Sequence, residues 1–440
     1  LQETKLGSKG STRLRRGGYL PCLIYGGGPK VDNPDVPVTI PTKVIEKLII
    51  NNKYRKKIQL DGFKNVKHLI KENSSLIDDI REDLIPTFKL NYNKDNLRII
   101  NIYNLGQKLN HRLYNISLGK KFTNGFIRNN HDVLEISDRD FIKQNRGFGL
   151  KTTQDKFQEY LIETCKNYNP DFIFFGHTKN IALSTLSEFR SLNNNLIISQ
   201  WNEDPIMPSL NYSMTNINNI SNYSKSVDHN FITTDPSIFT KQKKDEKNIN
   251  FLFVPVDKNI ECYDVTKLKP RKDLFYAMSH GVNRANLKKG KNDQRINFLN
   301  TLTKKIDNIN YDFYGFENKE PIWGNNFYKA LINSKMGLNL SRGLPTKYYS
   351  SNRIASLMGN GLLTFIHEKT QMTHFFNKNE IITYDSIEDL AEKITFYKKH
   401  DTLRKIIASN GRKKYFKLFN ELRVTKYILD KSFGKDVHLN

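Results

Sequence analysis

Lys347-Tyr348-Tyr349-Ser350-Ser351-Asn352-Arg353-Ile354-Ala355-Ser356-Leu357-Met358-Gly359-Asn360-Gly361-Leu362-Leu363-Thr364-Phe365-Ile366 is the stretch on which the fold turns. Residues 348–351 read as a polar loop. Asn352 and Arg353 open a helix with Ile354, Leu357 and Met358 on one face. Gly359, Asn360 and Gly361 break it, because Gly and Asn tolerate the left-handed conformation of a helix C-terminus. Residues 362–366 form a continuous apolar run, as in a parallel strand covered on both faces. Upstream, 336–340 predicts another such strand, which runs into Ser341, Arg342 and Gly343. A helix start bearing Ser351, Asn352 and Arg353 is suited to an anion, since free N–H groups and the helix dipole favour negative charge. An ordinary αβ unit with a surface arginine would read the same way. Ser341 and Arg342 tip the balance, because strand C-termini are where open α/β sheets bind ligands.

The same grammar extends outward. Strands are predicted at 97–102, 133–136, 171–177, 196–200, 231–234 and 251–254, with helices at 117–128, 156–168 and 181–191. The third of these strands ends at His177, and the fourth leads into Trp201-Asn202-Glu203-Asp204-Pro205. A second series has strands at 274–278, 311–314, 336–340, 362–366 and 380–384. Its first strand runs into Ser279-His280-Gly281-Val282-Asn283-Arg284. Strands alternating with helices imply α/β architecture with two tandem doubly wound domains, at 96–257 and 258–400, facing each other across a cleft. Helices at 401–440 close the chain, a charged helical linker covers 63–95, and a small β-rich segment covers 1–62.

Composition narrows the functional classes. The 440 residues exceed one typical core, and 38% hydrophobic content with 27 Phe and 21 Tyr suffices for packed interiors. Seventy Lys+Arg against 45 Asp+Glu leave a net charge of +25, which favours nucleic acid, anionic membrane surfaces or nucleotide-linked substrates. Cys22, Cys165 and Cys262 form no CxxC pair, which suits a reducing compartment and argues against a thiolate zinc site. No apolar run approaches the length of a membrane span. The chain starts at Leu1, so a trimmed or incomplete N-terminus is expected. Gly26-Gly27-Gly28 lacks the Lys-Ser of a P-loop, and Gly106 stands alone after its strand, so a dinucleotide fingerprint is absent.

The order of elements over about residues 96–435 resembles the GT-B glycosyltransferases, and more narrowly the spore-maturation CgeB-like group with its "glycosyl transferases group 1" domain. The resemblance is carried by Phe253-Val254-Pro255-Val256-Asp257, Ser351-Asn352-Arg353-Ile354, Gly359-Asn360-Gly361-Leu362-Leu363-Thr364 and Ser409-Asn410-Gly411-Arg412-Lys413-Lys414-Tyr415. It implies two Rossmann-like domains, the first holding the acceptor and the second a nucleotide-diphosphate sugar. Donor binding then falls to Ser351, Asn352 and Arg353, with Ser341, Arg342, His280, Gly281, Arg284, Tyr349 and Gly361 around them. Ser356 stands where many members carry Glu, which removes a carboxylate contact to the donor. Such a reaction needs positive charge at the leaving diphosphate and a base for the acceptor hydroxyl. The base candidates are His177, Glu203 and Asp204. No metal and no cofactor beyond the donor is expected, and Asp138-Arg139-Asp140 reads as a capping or acceptor-side loop. The acceptor would be a cell-envelope saccharide or a lipid-linked one, met in the cytoplasm or at the inner membrane surface.

The N-terminal segment resembles the start of the 5S-rRNA-binding ribosomal protein of the general stress protein Ctc family. The matching residues are Gly7-Ser8-Lys9-Gly10, Arg13-Leu14-Arg15-Arg16-Gly17-Gly18, Leu20-Pro21-Cys22-Leu23-Ile24-Tyr25-Gly26 and Val36-Pro37-Val38-Thr39-Ile40. That likeness implies RNA binding through Arg13, Arg15 and Arg16. Two other readings of the whole chain follow: an RNA-binding module with a passenger, or a non-catalytic nucleotide- or sugar-binding α/β protein.

Overall fold

The structure, a computed structural model, describes residues 19–24, 36–41, 96–106, 117–146, 152–176, 178–207, 211–240, 248–279, 282–283, 286–287 and 293–434. The chain forms two compact units, Leu1–Asn91 and Tyr92–Asn440. In the first unit, β1 (Tyr19–Ile24) pairs antiparallel with β2 (Val36–Pro41), with Cys22 opposite Val38.

The second unit begins with β3 (Arg98–Ile102), α1 (Leu118–Arg128), β4 (Asp132–Ile136), α2 (Asp138–Gln144) and α3 (Thr153–Tyr168). It continues through β5 (Phe172–Gly176), α4 (Leu183–Leu192), β6 (Ile197–Asn202), α5 (Asn211–Ser224), β7 (His229–Ile232), α6 (Pro236–Thr240) and β8 (Ile249–Phe251). The six strands form one parallel sheet in the order β4-β3-β5-β6-β7-β8. Alternation along β5 explains its two-sided burial. Phe172 and Phe174 face α1, where Phe122 and Phe126 meet them edge-on, while Ile173 and Phe175 join the opposite layer with Phe157, Leu161 and Phe189.

A second parallel sheet follows, made of β9 (Lys272–Ala277), β12 (Tyr311–Tyr314), β13 (Ser334–Asn339), β14 (Leu363–His367) and β15 (Ile382–Tyr384) in the order β12-β9-β13-β14-β15. Between β9 and β12 lie the short pair β10 (Val282–Asn283) and β11 (Asn286–Leu287), then α7 (Gln294–Thr303). Helices α8 (Gly324–Ile332) and α9 (Arg353–Gly359) cover one face; α7 and α10 (Ile387–Lys399) cover the other. The strand order reverses between β3 and β5 in the first sheet and between β9 and β13 in the second. These are the crevices where such sheets hold ligands.

Two long helices end the chain, α11 (Asp401–Leu418) and α12 (Glu421–Ser432). The last returns to the first sheet and lies along α1, where Gly125 allows contact: a Cβ there would meet the Glu421 carbonyl at 2.3 Å. One hydrophobic cluster therefore runs from Phe122, Phe174 and Trp201 through Phe253 to Ile354, Met358, Tyr415 and Phe419.

Two local expectations are corrected. Asp138-Arg139-Asp140, expected as a capping or acceptor-side loop, is the first turn of α2, with Ser137 at its N-cap and the acidic side chains in that turn. The edge strand expected at 251–254 is Ile249–Phe251, and Leu252, Phe253 and Val254 leave the sheet for the shared core. Helix α5 was not anticipated, because its Asn- and Ser-rich sequence has weak helix propensity.

Candidate functional site

The start of α9 reaches the second switch point through Arg353. Its guanidinium donates to the carbonyl oxygens of Leu340 (3.0 Å), just beyond β13, and Ala277 (3.3 Å), at the end of β9, and to Ser351 Oγ (3.2 Å). It lies over the Tyr276 ring at 5.0 Å, and the Tyr276 hydroxyl donates to Leu340 O (2.9 Å). No carboxylate among the described residues lies within ion-pair distance of Arg353. Burial pushes its pKa below the ordinary arginine value; the neighbouring Tyr276 pulls it up, and Arg295 pushes it down again. Arg295, by contrast, is paired with Asp293 at 2.7 Å. Arginine stays protonated regardless. The crevice therefore holds a cation whose own partners are neutral.

Next to it is a pocket of ≈ 240 Å³ whose walls include Arg295, Asn339, Ser341, Tyr349, His367 and Tyr384. Ser341 and the buried Tyr349 come to this rim, and Arg342 is exposed on the same loop. Asn339 Nδ2 donates to Ser350 Oγ (2.8 Å), tying the end of β13 to the loop before α9. Burial holds the His367 imidazole below the usual histidine range, with Lys369 adding to it. Arg295, Asn339, His367 and Tyr384 were missed in the sequence reading. Three of them share a legible signal: a polar or aromatic residue ending an apolar strand.

Asn352 ties the start of α9 to α1. Its side chain caps no helical N–H; Oδ1 accepts from Lys121 Nζ at 2.8 Å. Lys121, on α1, is fully buried, donates also to Pro255 O (3.0 Å) and pairs with Glu261 (2.7 Å). The loop meets the first sheet again where Lys347 pairs with Asp235 (2.5 Å), just beyond β7. Tyr348 between them adopts φ +60°, a strained conformation for a bulky residue, and its hydroxyl reaches His374 Nδ1 at 2.7 Å. Ser356 is buried, and its Oγ turns back to Asn352 O (3.4 Å).

Gly361 is corrected. It lies past the C-terminal end of α9, one helix length from Ser351, at the start of β14 and so at the opposite end of the sheet from the rim. It adopts φ +78° beside Asp264 and Val265 and serves the turn. With only 7 residues, α9 has little dipole to offer an anion, and the positive charge here is that of Arg353.

On the first sheet, Glu203 and Asp204 follow β6, both partly buried, and the Asp204 N–H donates to Asn202 Oδ1 (2.8 Å). Asp204 lines a pocket of ≈ 360 Å³ together with Arg139, Thr178, Asn180, Trp201 and Asn216. Glu203 is not among its lining residues. Asp138 accepts from Thr178 Oγ1 (2.6 Å) and Asn180 Nδ2 (2.7 Å), and Asp140 from Ser137 Oγ (2.5 Å), so both acids support the local backbone and pocket wall. His177, His280, Gly281 and Arg284, like Arg13, Arg15 and Arg16, lie outside the described residues.

Two doubly wound sheets joined by a continuous core, with the chain's last helix returned to the first, define a two-domain α/β fold of the GT-B glycosyltransferase type. Residues 293–430 match the family model described as glycosyl transferase-like, and residues 2–77 match the ribosomal L25p family. Among solved structures, the chain is similar to an alpha-glucosyltransferase in complex with UDP-glucose and DNA containing an abasic site, at 13% identity and TM-score 0.54, over 77% of this chain and 100% of that one. It is similar as well to sucrose-phosphate synthase from Thermosynechococcus elongatus, at 12% and 0.52, over 76% and 97%. A third is HepE of Anabaena in complex with UDP and glucose, at 11% and 0.50, over 77% and 100%. At such identities the likeness establishes the fold. No curated protein matches the chain.

Proposed function

We propose that the protein transfers a hexosyl unit from a nucleotide-diphosphate sugar to a hydroxyl of a cell-envelope saccharide or lipid-linked acceptor, and that it falls in the CgeB-like group. The observation that carries this reading is Arg353, a partly buried cation at the β9/β13 switch point that lacks a carboxylate partner among the described residues. A diphosphate would supply the missing negative charge at the position where leaving-group charge develops. Ser351 and Asn352 flank it, Ser341, Arg342 and Tyr349 line the rim, and His280, Gly281 and Arg284 on the loop after β9 are assigned to the same donor. In the reaction the sugar C1–O bond to the diphosphate breaks and takes its electron pair with it. The acceptor oxygen bonds to C1, and its proton passes to a base. Asp204 is the base we favour, ahead of Glu203 and His177, because it lines a pocket on the first sheet's rim. We assign charge neutralisation to arginine rather than to a metal ion.

The solved relatives bound to UDP and UDP-glucose make UDP the first nucleotide to try. In a calorimetric titration of the full chain, Arg353→Ala should weaken UDP by about tenfold or more, the scale of a lost charge-assisted contact, and leave uridine nearly unchanged. Equal UDP affinity in both proteins would show that the site assignment is wrong. The match of residues 2–77 to a ribosomal family favours RNA as a second ligand. Such binding should fall steeply with salt and depend on Arg13, Arg15 and Arg16, not on Arg353.

A further inference from the structure

The edge of the second sheet opposite the Arg353 rim is strongly basic. Residues 267–272 read Lys-Leu-Lys-Pro-Arg-Lys, and residues 396–417 hold eight Lys and Arg against Asp401 alone. Folding brings both stretches to the edge where the strands begin. The Arg271 and Lys272 N–H groups donate to Asn333 (3.1 and 2.9 Å), just before β13, and Lys272 opens β9. Helix α10 ends there, with Lys398 paired to Asp273 at 3.0 Å. Helix α11 crosses the same edge: Arg404 donates to Lys335 O (3.1 Å) in β13, and Arg412 to Gly359 O (2.8 Å), at the turn into β14. The acids here are engaged within the fold. Asp273 is buried between Lys335 and Lys398, Asp401 holds Arg404 and Lys405, and Asp264 takes Lys267. The end of α7 is balanced, with Lys304 and Lys305 set against Asp307 and Glu388. The excess therefore lies on Lys269, Arg271, Lys399, Lys413 and Lys417, which are exposed and form no ion pair among the described residues.

Apolar side chains stand out among these cations. Phe396 at the end of α10 is 44% exposed, and Leu403 and Ile406 on α11 are 41% and 52% exposed. Leu268, between Lys267 and Lys269, is 40% exposed. Leu403, Ile406, Lys413 and Lys417 share one face of α11, apolar at its start and basic at its end, while Ile407, Ala408 and Tyr415 bury the other. The combination selects a partner. Nucleic acid would satisfy the lysines but offers nothing to Leu403 and Ile406. An anionic bilayer surface answers both: headgroup phosphates attract the lysines, and the boundary with the acyl chains takes the apolar side chains. We infer that this edge docks on an anionic lipid surface, with Leu403 and Ile406 inserted below the headgroups and Lys399, Lys413 and Lys417 lying on them. Docking in this way leaves the Arg353 rim, at the opposite ends of the strands, clear of the lipid. The inference does not rest on the glycosyl-transfer reading.

Flotation of the full chain with mixed phosphatidylglycerol–phosphatidylcholine vesicles tests this, with pure phosphatidylcholine as the neutral control. Binding should require the anionic lipid and weaken as salt rises, because surface charges are screened beyond about 8 Å at physiological ionic strength. Leu403→Ser combined with Ile406→Ser should lower the vesicle affinity by about tenfold or more, the scale of two partly buried aliphatic side chains. Lys413→Gln combined with Lys417→Gln should also lower it by about tenfold or more, at about fivefold for each lysine. All four positions are exposed, so both variants should keep the fold, and their UDP affinity should not change. No binding to anionic vesicles, equal binding to neutral ones, or unchanged affinity in either double variant would overturn the inference. If only the lysine pair matters and a duplex oligonucleotide binds in place of the vesicles, the face reads phosphate and its partner is nucleic acid. Vesicle binding without UDP binding would support this face and count against the glycosyl-transfer reading. UDP binding without vesicle binding would do the reverse.

Discussion

Lys121 carries a charge into the interior of the protein and is met there by Glu261, Pro255 and Asn352. Burial pushes the Glu261 carboxyl up, and the adjacent Lys121 pulls it back down. The energetic weight of such a pair lies in what happens when one half is removed, because the other is left buried and uncompensated. Lys121→Met should cost about 3–5 kcal/mol in denaturant unfolding. Adding Glu261→Gln should recover part of that, since the buried charge is gone while Gln still accepts from the Asp257 N–H. A double variant no more stable than the single one would show that Lys121 acts by packing alone. Arg353 makes the complementary case. Its neutral partners hold it at the crevice without cancelling its charge.

At the scale of elements, α9 and β14 show how one short unit serves two ends of a sheet. Its first residues join the rim with the Tyr276–Arg353 stack, and its last ones make the turn through Gly361 that brings the chain into β14. Gly361→Ala should destabilise by about 1–2 kcal/mol, the cost of a left-handed conformation for a residue with a Cβ, as read in the denaturant midpoint. UDP affinity should not change. A weakened nucleotide with unaltered stability would return Gly361 to the donor site. The αβ pattern was legible here because its signal is local, the apolar run after Gly-Asn-Gly. Helix α5 was not, although Ile217, Ile220 and Tyr223 stand three apart; its many Asn and Ser residues compete for backbone hydrogen bonds, and packing of the isoleucines overrides that preference.

Across the whole molecule, the two sheets are bound into one interior. Phe253 stacks on Phe419 at 3.9 Å, the Tyr415 hydroxyl donates to Val254 O (2.8 Å), and Arg128 pairs with both Asp257 and Glu421. Residues 92–440 should therefore unfold in one cooperative step. Gly125→Leu should lower that transition by about 1–3 kcal/mol or more, because the new side chain forces α12 away from α1. Far-UV circular dichroism and aromatic fluorescence followed through the same denaturant series would check both points. Two separated transitions would contradict a shared core. Among the described residues no helix is long and apolar enough to cross a membrane.

The alternation of apolar runs with helical stretches, each a property of ten or fifteen neighbouring residues, was enough to determine two doubly wound sheets and to place Ser341, Tyr349 and Arg353 on one rim. Residue type at strand ends also singled out His177, Glu203 and Asp204 as base candidates, of which Asp204 lines a pocket. Tertiary structure alone decided the rest. The partner of Asn352 stands 231 positions away at Lys121, and α12 lies on a helix from the other end of the unit. Arg353 is held by carbonyls of strands distant in the chain. Trp201 and Asn216 line one pocket from two separate elements, β6 and α5. Local patterns follow from propensity and burial within a segment. Which polar group is paired, and which is left for a ligand, depends on groups that only folding brings within hydrogen-bond distance.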